Sequence, residues 1–123
     1  MATLDNRVFD NGLTVLDTEA NSIHVTSQEA TSYADATSTS TLGNSTSLSI
    51  GAPADRSGGG REVTVAAITD GSITATGTAT HYAIVDTANS RVLVTGALTA
   101  SQSVTSGNTF SLASFKIGIP DPA

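Results

Sequence analysis

The chain has 123 residues and a net charge of −6; only 13% of its residues are charged, aromatics make up 4%, and there is no cysteine. This length suits one domain with a modest core and is too short for a catalytic domain joined to a separate binding domain. Disulfides and thiolate metal sites are excluded, and the five cations (Arg7, Arg56, Arg61, Arg91 and Lys116) are too scattered to follow a nucleic-acid backbone or an anionic membrane surface.

Residues 1–12 end in Asp10-Asn11-Gly12, a strong turn signal, and read as an N-terminal arm or a first strand, with residues 13–123 forming a single β domain. Acids stand where a signal peptide would carry a basic segment, and no run approaches the ~18 apolar residues of a membrane span. Synthesis and retention in a cytosol are expected. Residues 13–16 and 22–27 are β-prone and predict a first hairpin, while SQEATSYADATS (residues 27–38) has a capping serine and enough alanine for a short helix. Residues 46–50 alternate Leu48 and Ile50 with serines, and residues 51–61 (GAPADRSGGGR) read as an irregular, mobile loop.

Beyond that loop the period is two. In ITATGTATHYAIVD (residues 73–86), Ile73, Ala75, Gly77, Ala79, His81, Ala83 and Val85 share one face, and Thr74, Thr76, Thr78, Thr80, Tyr82 and Ile84 share the other. Residues 62–68, 73–86, 91–99 and 109–119 are strand-like, and the short links TDGS, TANS and ASQSVTSGN predict four consecutive antiparallel strands. Gly77 and Gly96 inside these runs point to bulges or close backbone approach. Regularly spaced short strands with no long helix give an all-β fold: an antiparallel β-sandwich or small barrel with at most one short helix.

The expected core is Val63, Val65, Ile68, Ile73, Ala83, Val85, Val92, Val94, Leu98, Phe110 and Leu112. Tyr82, Ile84, Leu93, Phe115, Ile117 and Ile119 fall on the opposite faces, which is more apolar surface than a lone sheet shows to water. A second sheet or a partner must cover them. Of these, Tyr82, Phe115 and Ile117, with Leu4, Val8 and Phe9 of the arm, are the candidate partner-binding residues; the arm residues could add a strand to a neighbouring protein.

Motifs that carry chemistry are few. His24 and His81 lie in strand-like runs without a second ligand at metal spacing, and read as structural histidines. No G-x-S-x-G elbow positions a nucleophile. Gly58-Gly59-Gly60-Arg61 lacks the lysine and hydroxyl that complete a phosphate loop. Asp5, Asp10, Asp17 and Glu19 lack calcium-loop spacing and read as a solvated acidic face. Tyr33 and Tyr82 offer little platform for a sugar, and Asn44-Ser45-Thr46 matches the glycosylation sequon without a secretory route. No catalytic residue, metal or cofactor is expected, and the chain reads as a non-enzyme.

From Gly51 onward, GAPADRSGGGREVTVAAITDGSITATGTATHYAIVD and SRVLVTGALTASQSVTSGNTFSLASFKIGIPDPA resemble small virion proteins of tailed bacteriophages, through the order GR-VTVAAI, DG-ITATGTATH-A, LxTGxL and the closing strand. The resemblance implies a virion structural protein, a capsid decoration or cement protein that binds and stabilises the major capsid protein shell, with a tail or head-tail component as the alternative. It also implies a homotrimer. Three classes stay distinct by their consequences: a virion subunit is present in many copies per particle, a glycan-binding module is retained on host polysaccharide, and an enzyme shows turnover that depends on carboxylates or His81.

Overall fold

A computed structural model describes residues 6–120. Among the described residues the chain is mostly antiparallel β, as its period-two pattern predicts, and it has one α-helix longer than two turns where at most a short one was expected. It passes back and forth between two compact units, so neither is contiguous in sequence: among the described residues, 6–19, 49–67 and 113–120 form the first, and 20–48 and 68–112 the second.

In the first unit, helix α1 (Asn6–Glu19) packs against a three-stranded sheet of order β3 (Ala54–Asp55), β4 (Arg61–Val65), β9 (Phe115–Ile119). The helix replaces both the turn expected at Asp10-Asn11-Gly12 and the strand expected at residues 13–16. Leu13 and Leu16, one turn apart, are buried, whereas Val15 between them is exposed. Thr14 and Thr18 hydroxyls donate back to the carbonyls of Asp10 and Thr14, which reconciles β-branched residues with a helical backbone. Gly12 places its Cα where a Cβ would touch Ile119 Cδ1 at 3.6 Å. Val63 pairs with Ile117 and Val65 with Phe115, so these four share one face of the sheet. Glu62 and Lys116 occupy the other and form an ion pair of 2.9 Å.

The second unit is a six-stranded sheet curled into a half-barrel. Its order is β7 (Arg91–Val104), β6 (Gly77–Asp86), β1 (Ser22–Thr26), β2 (Thr41–Ser45), β5 (Ile68–Ile73), β8 (Thr109–Leu112). All five residues of β1 are buried, because both faces of the central strands are covered. On one, Ala30 and Ala36 of the β1–β2 connection pack on Ala83 and Val85; on the other, Val25, Leu42, Ile73 and Ala79 form a second cluster.

The β1–β2 connection contains the short helical element expected between residues 27 and 38, as a π-helical turn at Asp35–Thr39. Ser32 Oγ accepts the Asp35 N–H, and the Ser40 N–H reaches back five residues to the Asp35 carbonyl.

Only one of the expected consecutive pairings forms. The TANS link makes the β6–β7 hairpin. TDGS is not a turn: residues 69–72 continue β5, and Asp70 lies in a bulge between the pairs Ile68–Leu112 and Gly71–Phe110. The long strand over 73–86 breaks at Thr74 and Ala75, whose N–H groups both donate to the Leu42 carbonyl. The last run also breaks at Ala113-Ser114, sending β8 to the six-stranded sheet and β9 to the three-stranded one. Phe115 and Ile117 therefore share a face with the core residues Val65 and Val63, rather than lying opposite the core. Ile84, also expected opposite the core, is fully buried within the second unit.

Candidate partner-binding surface

Each polar cluster among the described residues is engaged in holding the fold. The Asp35 carboxylate accepts from the Ser40 hydroxyl at 2.5 Å and the Thr31 N–H at 3.1 Å, with Thr31 Oγ1 and Gln28 Nε2 at 3.5 Å. These bonds, the Ser40 hydroxyl foremost, hold its pKa below the ordinary carboxylate value and fasten the β1–β2 connection. Asp70 accepts from Ser47 at 2.6 Å and Ser45 at 3.0 Å, which lowers its pKa in the same way and ties the β5 bulge to the end of β2.

Buried Asp86 accepts from Asn89 Nδ2 at 2.7 Å, the Ala88 N–H and Arg91. The Asn89 side chain is the main cause of its lowered pKa. This set braces the hairpin in which Ser90 adopts φ 55°. In the first unit, Arg61 spans Asp10 at 2.9 Å, Asp55 at 2.7 Å and the Pro53 carbonyl, clamping helix to sheet. Gly58, Gly59 and Gly60 all adopt positive φ, and Arg56 caps the loop through the Gly59 carbonyl. Those glycines therefore serve a tight turn.

His24 is buried with its Nδ1 2.8 Å from Thr41 Oγ1, and desolvation lowers its pKa. His81 Nδ1 contacts Thr80 Oγ1 at 2.8 Å. No carboxylate appears among the hydrogen-bond partners of either ring, and no three metal-ligating side chains gather among the described residues. Every buried side-chain nitrogen or oxygen described has a hydrogen-bond partner. No described helix is long and apolar enough to cross a membrane.

The residues expected to bind a partner divide between the two units. Leu4 lies outside the described residues. Val8 and Phe9 belong to α1, and half-buried Phe115 and Ile117 to β9, all within the first unit. Tyr82 is in the second, half-buried on β6 opposite Gly96, where a Cβ would stand 2.6 Å from the Tyr82 Oη. At Gly96, where a bulge or close backbone approach was expected, the close neighbour is instead this side-chain ring.

Sequence reading passed over the ends of the sheets. Strands β7 and β8 are the two edges of the six-stranded sheet, and β9 is an edge of the three-stranded one. Leu98 and Val104 from β7, and Phe110 and Leu112 from β8, converge half-exposed on the cluster of Val25, Leu42, Ile73 and Ala79. Edge strands offer unpaired backbone donors and acceptors to another chain. The missing signal was the Ala113-Ser114 break, which carries no Gly or Pro to mark it.

Compared with known proteins, the chain matches no family model, no curated protein and no solved structure.

Proposed function

We propose that this chain is a virion structural protein of a tailed bacteriophage, a decoration or cement-like subunit that docks on the major capsid protein shell and stabilises it. The observation that carries the reading is the location of four candidate contact residues (Val8, Phe9, Phe115 and Ile117) in one unit, in whose three-stranded sheet β9 is an edge strand. The resemblance from Gly51 onward supports the same assignment. The polar clusters among the described residues are occupied in bracing the fold, which favours adhesion over turnover.

An edge strand binds by extending its sheet: main-chain hydrogen bonds supply affinity and alternate side chains supply specificity. A stable contact of about 800 Å² per partner is within reach of a small β unit. Ser, Thr and Ala side chains lose little rotamer freedom on docking. The test adds purified protein to shells that lack it. Co-sedimentation at a saturable ratio and a raised shell disruption temperature are expected; failure to bind at any concentration would remove the assignment.

A further inference from the structure

Six asparagines are spread along the chain, and only Asn11 is followed by glycine. An asparagine side chain is open to attack by the backbone nitrogen of the next residue, and a glycine there, lacking a Cβ, hinders the approach least. Asn21 exchanges hydrogen bonds with Thr87 at 2.8 and 3.0 Å, and Asn89 donates to Asp86 at 2.7 Å, so both of those amides are pinned. Asn11 is exposed.

What protects Asn11 is its backbone. Within α1 the Gly12 N–H is committed to the helical ladder, and helical dihedrals hold its nitrogen away from the Asn11 side-chain carbonyl. That protection is only as strong as the helix. Nine of its fourteen residues are Asn, Asp, Gly, Thr or Val, which rank low as helix formers; the first turn has no acid and the last no base. The described anchors are buried Leu13 and Leu16 and the Asp10–Arg61 ion pair. An element held this way opens at lower free energy than strands covered on both faces.

We propose that Asn11-Gly12 is a deamidation site gated by the opening of α1. In the open chain hydroxide takes the Gly12 amide proton, the nitrogen attacks Asn11 Cγ, and Nδ2 takes a proton from water and leaves as ammonia. The succinimide so formed adds water at one of its two carbonyls. Addition at the side-chain carbonyl gives aspartate; addition at the main-chain carbonyl gives isoaspartate, whose main chain runs through Cβ and Cγ. Either product adds a negative charge beside Asp10, and isoaspartate also interrupts the i→i−4 ladder, so α1 cannot re-form across it. A reversible opening becomes permanent. Because reclosing is far faster than this chemistry, the native rate is the open-chain rate multiplied by the open fraction.

The test follows residue 11 of the full chain by peptide mass spectrometry at mildly alkaline pH, in native buffer and in strong urea, which supplies the open-chain rate. The native rate should be slower than the urea rate yet faster at residue 11 than at any other asparagine. Leu16→Ala leaves the sequence beside Asn11 unaltered and should quicken the native rate at least about tenfold with no change in urea. Arg61→Ala should act in the same direction. Gly12→Ala, whose Cβ would only touch Ile119 Cδ1 at 3.6 Å, should suppress the reaction in both conditions.

Ile84→Ala, buried in the second unit, separates local from global opening and should leave the native rate unchanged. A native rate equal to the urea rate, an Asn11 that never deamidates in the native chain, or an Ile84→Ala rate that rises with the loss of global stability would overturn the proposal. Should a core variant fail to fold, graded sub-denaturing urea on the unaltered chain replaces it. The rate should then rise shallowly, as for exposure of one helix, and a rise as steep as whole-chain unfolding would refute the local gate.

Discussion

Burial of the His24 ring, not a neighbouring charge, sets its behaviour. Desolvation holds its folded pKa below the ordinary value of about 6.5, so the native ring is neutral. A group with a depressed histidine pKa contributes its full stability above the unfolded value and loses it as pH falls toward the folded one. The melting temperature should therefore decline between pH 7 and pH 5, and H24Q should flatten that part of the profile; calorimetry across the range checks both. Asp35, Asp70 and Asp86 titrate lower, each held below the ordinary carboxylate value by hydrogen bonds from Ser40, Ser47 and Asn89 respectively. Their contribution is complete above about pH 4 and disappears below it, giving a second, acid stage of unfolding.

Close backbone approach at Gly43 is a sharper constraint. A Cβ there would overlap the Ser72 carbonyl oxygen and stand 3.0 Å from Ile73 Cα, so relief requires parting β2 from β5. Gly43→Ala should cost about 1–3 kcal/mol in urea unfolding. Gly51→Ala, whose Cβ would meet nothing nearer than the Thr64 carbonyl at 3.9 Å, should stay within about 0.5 kcal/mol.

At the scale of elements, stability is concentrated in the central strands. Ile23 and Ile84 sit opposite each other on β1 and β6 and are fully buried. Ile84→Ala should cost about 2–5 kcal/mol, because it removes buried methyl and methylene groups and leaves a cavity. The β1–β2 connection depends instead on one carboxylate. Asp35→Ala should make residues 28–40 the first site of limited proteolysis while leaving most of the β signal intact; a digestion pattern unchanged from the parent would show that alanine packing alone holds the segment.

The sequence's period-two pattern revealed the β6–β7 hairpin and the antiparallel class because TANS is a true turn and alternation survives in a sheet with covered faces. It could not reveal α1, where Thr and Val argue for a strand while Leu13 and Leu16 find their partner only in a sheet contributed by residues far along the chain. Nor could it distinguish the bulge at Asp70 from a turn, since Asp-Gly serves both, and the serines that donate to the Asp70 carboxylate, Ser45 and Ser47, stand at the end of β2 and just past it. The candidate site was legible only in part. Apolar surplus was visible in the sequence, but which strands end a sheet is set by long-range pairing.

At the scale of the whole molecule, acidic and neutral stretches of the chain are segregated. Its charge lies mostly outside the strands that end the larger sheet, and a net charge of −6 opposes unspecific self-association. In the proposed role the chain acts in numbers, with each copy contributing a modest contact that repetition makes strong. The most direct measurement of the proposed role is quantitative mass spectrometry of purified particles of a tailed phage whose genome carries this sequence, counting the chain against the major shell subunit. The account predicts a fixed, high ratio that persists through gradient purification. Absence from the particles, or a trace that washes away, would contradict it.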